Sequence, residues 1–157
     1  MDEPRVTAIV GGPVEESSVA VCLYGDDLDP DSISARLGCA CSHSFRRGDL
    51  QPRTLRSREF GAWFLKERGT APLGPAELLA SLLDRLPEDP KLWSELRREF
   101  DVRLRVAVHF DGWNREFDLP GALVAKIAQL GVQIRFDLYA YVDDEADAAL
   151  NSEERAK

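Results

Sequence analysis

The chain has 157 residues, a net charge of −8, 44% hydrophobic residues and 31% charged residues. This length fits one domain, because a chain of about 150 residues buries roughly 68–70% of its unfolded surface. The composition excludes a disordered chain, a collagen-like repeat and a disulfide scaffold.

The negative charge is concentrated at the two ends. Residues 1–16 carry four carboxylates against one arginine, and residues 143–157 carry six against one arginine and one lysine. Residues 17–142 are left nearly neutral, at −1. Acidic ends are typical of solvated chain. We therefore expect an acidic N-terminal extension over 1–16, a single α+β domain over 17–142 and an acidic C-terminal tail over 143–157.

The sequence shows no segment typical of export or of a membrane span. Its start is acidic, with too short an apolar stretch for a signal peptide, and no run approaches the ~20 apolar residues that cross a bilayer. Its three cysteines are an odd number without the spacing of a disulfide framework. We expect a cytoplasmic protein that does not act on membranes.

The first half of the domain predicts a strand, a helix and two further strands. Residues 18–24 alternate as a half-buried strand does. Asp29 and Pro30 are suited to begin a helix, and Gly38 to end it. Residues 39–45 predict a short strand, residues 46–58 a polar loop with a turn at Gly48 and Asp49, and residues 60–65 an aromatic strand buried on both faces.

The second half predicts three helices and two strands. Five leucines over residues 75–86 form one broad apolar stripe on a helix. A second helix begins at Pro90, and a third ends at Gly131. Strict alternation predicts strands over 102–110 and 132–142, and in both of them the even-numbered residues face the core.

This order of elements predicts an α+β fold. The first six elements match the split βαβ arrangement of ferredoxin-like folds. One further helix and one further strand extend this antiparallel-rich sheet. We expect the helices mainly on one face of the sheet, with the other face partly open.

Several short motifs resemble those of one bacterial family. They are GDDLDP at residues 25–30, Ile33, Leu37-Gly38, Arg46-Arg47-Gly48-Asp49, Gly61-Ala62-Trp63, Leu119-Pro120 and Asp137-Leu138-Tyr139. In these motifs, over about residues 18–142, the chain resembles the domain-of-unknown-function 4279 family. Cys41-Ser42 and Phe45 stand where members often have a Pro-Thr pair and a histidine, so no role carries over to those positions. The resemblance implies a fold and no particular chemistry, and similar small domains among bacterial immunity-type proteins offer an analogy only.

Cys39, Cys41 and His43 alternate, so on a strand their side chains point the same way, and Cys22 on a neighbouring strand can supply a fourth metal ligand. Structural zinc sites usually use C-x₂₋₄-C spacings, which this segment lacks. We therefore favour ordinary half-buried cysteines and expect no metal and no cofactor.

A basic run over residues 46–58 is an alternative binding site. Its arginines are interrupted by one acidic residue, Asp49, and such runs can bind phosphate or nucleic acid. The nearly neutral domain argues against this use, so nucleic acid is not the favoured partner. The residues are Arg46, Arg47, Arg53, Arg56 and Arg58.

The main candidate site is the polar face of the last two predicted strands, with the loop beside them. If these strands are neighbours, their odd-numbered residues share one sheet face opposite the helices. Arginine and tyrosine are enriched at recognition surfaces. The alternative is a solvated face with cross-strand pairs such as Arg105 with Asp137. The candidate residues are Arg103, Arg105, His109, Trp113, Arg135, Tyr139 and Tyr141.

The sequence lacks the motifs of the common enzyme classes. It has two histidines and no G-x-S-x-G, P-loop, dinucleotide fingerprint or H-E-x-x-H. We therefore expect a non-catalytic binding module with an unknown protein partner, of the immunity or regulatory type. The alternatives are a small-ligand-binding domain with a pocket between the sheet and the 111–120 loop, and a weak nucleic-acid binder.

Overall fold

The computed structural model describes residues 11–112 and 114–141, which form an α+β fold of four helices on a mixed five-stranded sheet. Among these residues, no helix is long and apolar enough to cross a membrane. The elements are β1 (Glu16–Gly25), α1 (Pro30–Leu37), β2 (His43–Phe45), β3 (Gly61–Thr70), α2 (Pro75–Asp84), α3 (Pro90–Glu99), β4 (Asp101–Phe110), α4 (Gly121–Leu130) and β5 (Gln133–Ala140).

The first strand of the chain lies at the centre of the sheet, whose order is β2-β3-β1-β4-β5. β1 is antiparallel to both β3 and β4, β2 is antiparallel to β3, and β5 is parallel to β4. α4 supplies the crossover that this parallel pair requires. The α+β class predicted from the sequence is confirmed.

Local sequence signals set the helix ends. Asp29 accepts a hydrogen bond from the backbone N–H of Ser32 and caps α1. Gly38 ends that helix with a φ of 68°, in the left-handed region that glycine adopts without a steric penalty. α2 ends at Asp84, two residues before the predicted end, although Leu86 is still buried.

The core lies between the helices and one face of the sheet. Val19, Val21 and Leu23 of β1 and every leucine of α2 are buried there. Trp63 of β3 is fully buried, and its indole N–H donates to Oγ of Ser34 in α1 at 2.9 Å. This bond joins the first helix to the sheet. The side chains of alternate parity point to the other sheet face, which we call the open face.

Three strands, β2, β3 and β5, differ from the sequence prediction. β2 spans only His43–Phe45 and not residues 39–45, because only these three residues pair with β3. β3 continues to Thr70, past the predicted end at residue 65, because its polar second half pairs with β1. In β5, Phe136 and Leu138 are in register with the buried Val106 and Val108 but are themselves exposed. The prediction that they are inside is wrong, because a strand at the end of the sheet extends past the helix layer.

The N-terminal boundary also differs from the prediction. β1 begins at Glu16, and Val14 is buried in the core. The backbone N–H of Glu116 donates to the carbonyl of Gly12 at 3.1 Å. Residues 11–16 are therefore in contact with the domain and are not part of a separate extension. Residues 1–10 and the predicted tail over 143–157 lie outside the described residues.

Candidate functional site

The open face carries a hollow of about 530 Å³. Its floor is the central strand, where the side chains that point away from the core are small: Ser18, Ala20 and Cys22. Longer side chains on the neighbouring strands form the two walls. The surface is concave here because these small side chains, together with Ala107 of β4, lie between longer side chains on both sides.

One wall of the hollow is formed by β4 and β5. His109 and Tyr139 are in register on these strands, with their rings parallel and 4.6 Å apart. Arg105 donates to Oδ2 of Asp137 from Nε at 3.2 Å and from a terminal guanidinium nitrogen at 2.6 Å. This carboxylate raises the pKa of Arg105 and fixes the direction of its side chain. Contacts within the protein therefore hold the side chains of this wall in place.

The opposite wall is formed by β2 and β3. The ring of His43 stacks on Phe64, with 5.8 Å between centroids. Ser42 Oγ accepts from the backbone N–H of Lys66 at 2.9 Å and holds the residues before β2 against β3. Lys66 is exposed, and it takes part in none of the ion pairs among the described residues. Its ammonium group is therefore available to a ligand.

The strand register brings two cations to the floor. Lys66, Ala20 and Arg105 lie side by side on β3, β1 and β4. Adjacent strands are about 4.8 Å apart, so roughly 10 Å separates the Cα atoms of the two cationic residues. They flank the alanine methyl group from opposite sides. An anionic group above Ala20 would lie between them.

The open face is positive although the chain is negative. The strand residues on this face include five cations and three carboxylates, and each carboxylate lies beside an arginine. With neutral histidines the face has an excess of two positive charges. The cations are Lys66, Arg68, Arg103, Arg105 and Arg135, and the carboxylates are Glu16, Asp101 and Asp137.

Three of the residues predicted from the sequence line the hollow, namely Arg105, His109 and Tyr139. Tyr141 lies beside them, with its ring 6.2 Å from that of His109. The parity argument therefore brought these side chains together correctly, because β4 and β5 are neighbours in register.

Arg103 and Arg135 lie away from the hollow. Arg103 is on the same face but binds Asp101 and lies 5.6 Å from the ring centre of Tyr24. Arg135 is exposed on the edge strand β5. Trp113 lies outside the described residues. Arg103 and Arg135 share the face with the hollow without forming its wall.

The described residues of the 111–120 loop do not line the hollow. Arg115 pairs with Glu15 at 2.7 Å, and the hydrogen bond from Arg115 lowers the pKa of that carboxyl. Phe117 packs towards Phe136, with 6.4 Å between ring centroids, on the core-facing side of the sheet. The hollow is thus formed by residues of the strands and by Ser42, which directly precedes β2.

The basic run over 46–58 is not one continuous positive surface. Arg46 lies between Asp29 and Asp31, at 2.7 and 2.6 Å, and the guanidinium of Arg58 lies 4.0 Å from the ring centre of Phe45. The segment folds back on itself as a hairpin closed by a bridge between residues 50 and 57. Its remaining arginines, which are exposed, are Arg47, Arg53 and Arg56.

The three cysteines and His43 do not assemble into a metal site. Within the described ranges, no three His, Cys, Asp or Glu side chains are placed to hold an ion. Cys22, Cys39 and Cys41 are free thiols. Cys22, in the floor of the hollow, is only 1% exposed, and burial raises the pKa of its thiol. Cys39 and Cys41 are half-buried in the connection after α1.

We expect iodoacetamide to modify Cys41 and Cys39 in the native protein well before Cys22. The thiolate is the reacting form, and Cys22 is both covered and kept protonated by its burial. Peptide mass spectrometry after timed labelling measures the three rates, and the denatured chain is the control in which they should become similar. Equal labelling rates of the three cysteines in the native protein would contradict the burial of Cys22 in the floor of the hollow.

Sequence reasoning missed the half of the hollow that comes from β1, β2 and β3. The alternation of Ser18, Ala20 and Cys22 was visible, but it indicates only a side facing away from the core. Lys66 gave no signal of its own, and His43 stood out only as a possible metal ligand. Only a prediction of the strand order, with β1 at the centre of the sheet, identifies His43 and Lys66 as neighbours of the small side chains of β1.

Comparison with protein families matches residues 15–141 to a family described as a domain of unknown function, DUF4279. No curated protein and no solved structure matches the chain. The matched residues run from the one before β1 to the one after β5 and thus include every helix and strand named above. Because the match covers most of the chain and all of its sheet, the protein belongs to the DUF4279 family, the one that its motifs resemble.

Proposed function

We propose that the protein is a non-catalytic, cytoplasmic binding module that recognises a protein partner through the hollow on its open face. The observation that carries the proposal is the hollow itself, in which aromatic and cationic side chains surround a floor of small residues. Aromatic residues and arginine are enriched at recognition surfaces. Those of the β4 and β5 wall are already held by stacking and an ion pair, so less rotamer freedom is lost on binding.

The partner in this proposal presents an acidic group to the hollow. Lys66 and Arg105 flank Ala20, and the open face is positive in a chain whose net charge is −8. A carboxylate above Ala20 gains from both cations while its apolar stem contacts the floor. Charge complementarity of this kind increases the association rate and the specificity of a complex.

A domain of this type acts by occupying its partner, as immunity-type and regulatory proteins do. Its small size and its preformed surface suit that role. The three free thiols are typical of a reducing compartment, which supports a cytoplasmic location.

We further propose that β1 to β4 with the intervening helices form a ferredoxin-like unit. The strand order β2-β3-β1-β4, antiparallel throughout, and the helices that follow β1 and β3 support this. In this description α4 and β5 extend the unit at one edge.

Arg105→Ala and Tyr139→Ala are each expected to weaken partner binding by about 1–2 kcal/mol, as residues near the centre of an interface do. Both side chains are partly exposed, so the free energy of unfolding should change by no more than about 0.5 kcal/mol. Calorimetric titration and urea unfolding of the same variants measure the two quantities. Arg47→Ala, an exposed arginine on the hairpin, is the matched control and should change neither.

The partner is obtained by capture with the wild-type protein, side by side with the three variants. A partner of the hollow is recovered with the wild type and with Arg47→Ala, and in smaller amount with the other two variants. Full affinity of the purified partner for both Arg105→Ala and Tyr139→Ala would overturn the proposal. Loss of binding with Arg47→Ala would place the site on the hairpin instead.

A small anionic molecule is the second candidate ligand, because the size of the hollow is typical of small-molecule sites, which span roughly 300–1,000 Å³. Thermal unfolding with a panel of small carboxylates and phosphates tests it. A compound that raises the Tm of the wild type but not that of Arg105→Ala favours a small ligand over a protein.

A further inference from the structure

β5 forms one edge of the sheet and exposes an unusual amount of apolar surface. Phe136, Leu138 and Tyr139 are 46%, 65% and 48% exposed, and Tyr141, directly after the strand, is 55% exposed. An exposed, apolar edge strand pairs readily with another strand, and proteins usually protect such edges. The surface is typical of an edge that a further strand covers.

The backbone shows which groups of β5 are free to pair. The N–H of Tyr141 donates to the carbonyl of Phe110 on β4 at 2.9 Å. In a parallel pair, alternate residues of a strand bond to the same neighbour. The odd-numbered residues of β5 therefore bond towards β4, and the even-numbered ones direct N–H and C=O outward. No other strand in the described part of the chain pairs with that side.

We propose that β5 pairs antiparallel with β5 of a second copy of this chain, in a register centred on Phe136. Phe136 then lies opposite its own counterpart, Ile134 lies opposite Leu138, and Arg135 lies opposite Asp137. The sequence of β5 is thus self-complementary about Phe136, with apolar residues against apolar ones and each charge against its opposite. This inference is independent of the ligand of the hollow.

The alternation of β5 selects this register. Shifting one strand by a single residue would pair side chains from opposite faces of the sheet, so only shifts by two residues are compared. Each such shift moves the centre of the pairing by one residue. A register centred on Arg135 or on Asp137 puts that charge opposite itself, which is destabilising. A register centred on Leu138 puts both charges opposite tyrosines. Of these four registers, only the one centred on Phe136 forms ion pairs, two of them.

The hydrogen-bonding pattern agrees with the same register. Phe136 directs its backbone groups outward, so it forms a hydrogen-bonded pair with its counterpart. Arg135 and Asp137 then occupy a non-hydrogen-bonded pair, where opposite side chains come closest. The two-fold axis lies perpendicular to the sheet at Phe136. The two sheets become one of ten strands, and both hollows open on the same side.

Disulfide trapping tests the contact and its register. In a hydrogen-bonded pair the Cα atoms are about 5.5 Å apart, within reach of a disulfide, so Phe136→Cys should form a covalent dimer on mild oxidation. Leu138→Cys is the matched control on the same exposed edge, where the two cysteines would be more than about 10 Å apart. Peptide mass spectrometry separates these links from any made by Cys39 or Cys41. A 136–136 link that forms no faster than a 138–138 link would overturn the register.

A charge exchange tests the same contact without cysteine. Arg135→Asp and Asp137→Arg each place like charges opposite one another, so each variant alone should self-associate at least about tenfold more weakly than the wild type. Mixed together, the two variants regain both ion pairs and should form a heterodimer. That recovery shows that neither variant has lost its fold.

Native mass spectrometry and sedimentation give the readout. The wild type should approach twice its 17.5 kDa as its concentration rises. Arg47→Asp, the same charge change away from the edge, is the control and should associate like the wild type. A wild type that stays a single chain at every concentration would overturn the proposal, and so would the absence of mixed dimers.

Discussion

Truncation of Leu82 to alanine is expected to lower the free energy of unfolding by about 2–5 kcal/mol. Leu82 lies in the middle of the apolar stripe of α2, which packs on β1 and β3, and its side chain is fully buried. The loss combines the transfer of apolar atoms with the cavity left behind. Since a domain is typically stable by about 5–15 kcal/mol, the variant should fold but unfold at a clearly lower urea concentration.

Leu55→Ala is the matched control for this prediction. It removes the same atoms from a leucine of the 46–58 hairpin that is 73% exposed, so the free energy should change by no more than about 0.5 kcal/mol. Urea unfolding followed by circular dichroism compares the two variants with the wild type. A midpoint shift for Leu82→Ala that is no larger than that for Leu55→Ala would mean that α2 does not pack on the sheet.

A second large effect is expected at the floor of the hollow, on binding and not on folding. Ala20→Phe adds an aromatic ring between Lys66 and Arg105, where the proposed acidic group of the partner lies. We expect the affinity to fall by at least about 100-fold, or roughly 2.7 kcal/mol, because the group no longer fits. Phenylalanine is favourable in strands and the side chain projects from the open face, so the fold should be kept.

Ala80→Phe is the control that adds the same volume elsewhere. Ala80 is exposed on α2, on the helix side of the sheet, and its replacement should leave binding unchanged. Calorimetric titration of both variants with the captured partner gives the comparison, and urea unfolding verifies the fold. Full affinity of Ala20→Phe would show that the partner binds a different surface.

The sequence by itself determined the local features of this protein. Asp29, Pro30 and Gly38 predicted the ends of α1, because capping acts within a single turn of helix. The alternation over residues 102–110 predicted which side chains of β4 face the core, since a period of two depends on the strand alone. That parity also placed Arg105, His109 and Tyr139 on one surface.

Only the tertiary structure decided what those surfaces become. The hollow exists because β1, with its small outward side chains, lies between β3 and β4, and it gains Lys66 from a distant part of the sequence. The pairing of strands that are far apart in the sequence leaves no signal in the local sequence of either strand. Likewise, the alternation of apolar and polar residues in β5 is the same whether or not helices cover the strand. Its place at the end of the sheet leaves Phe136 and Leu138 exposed, because one more strand lies beyond the reach of the helix layer.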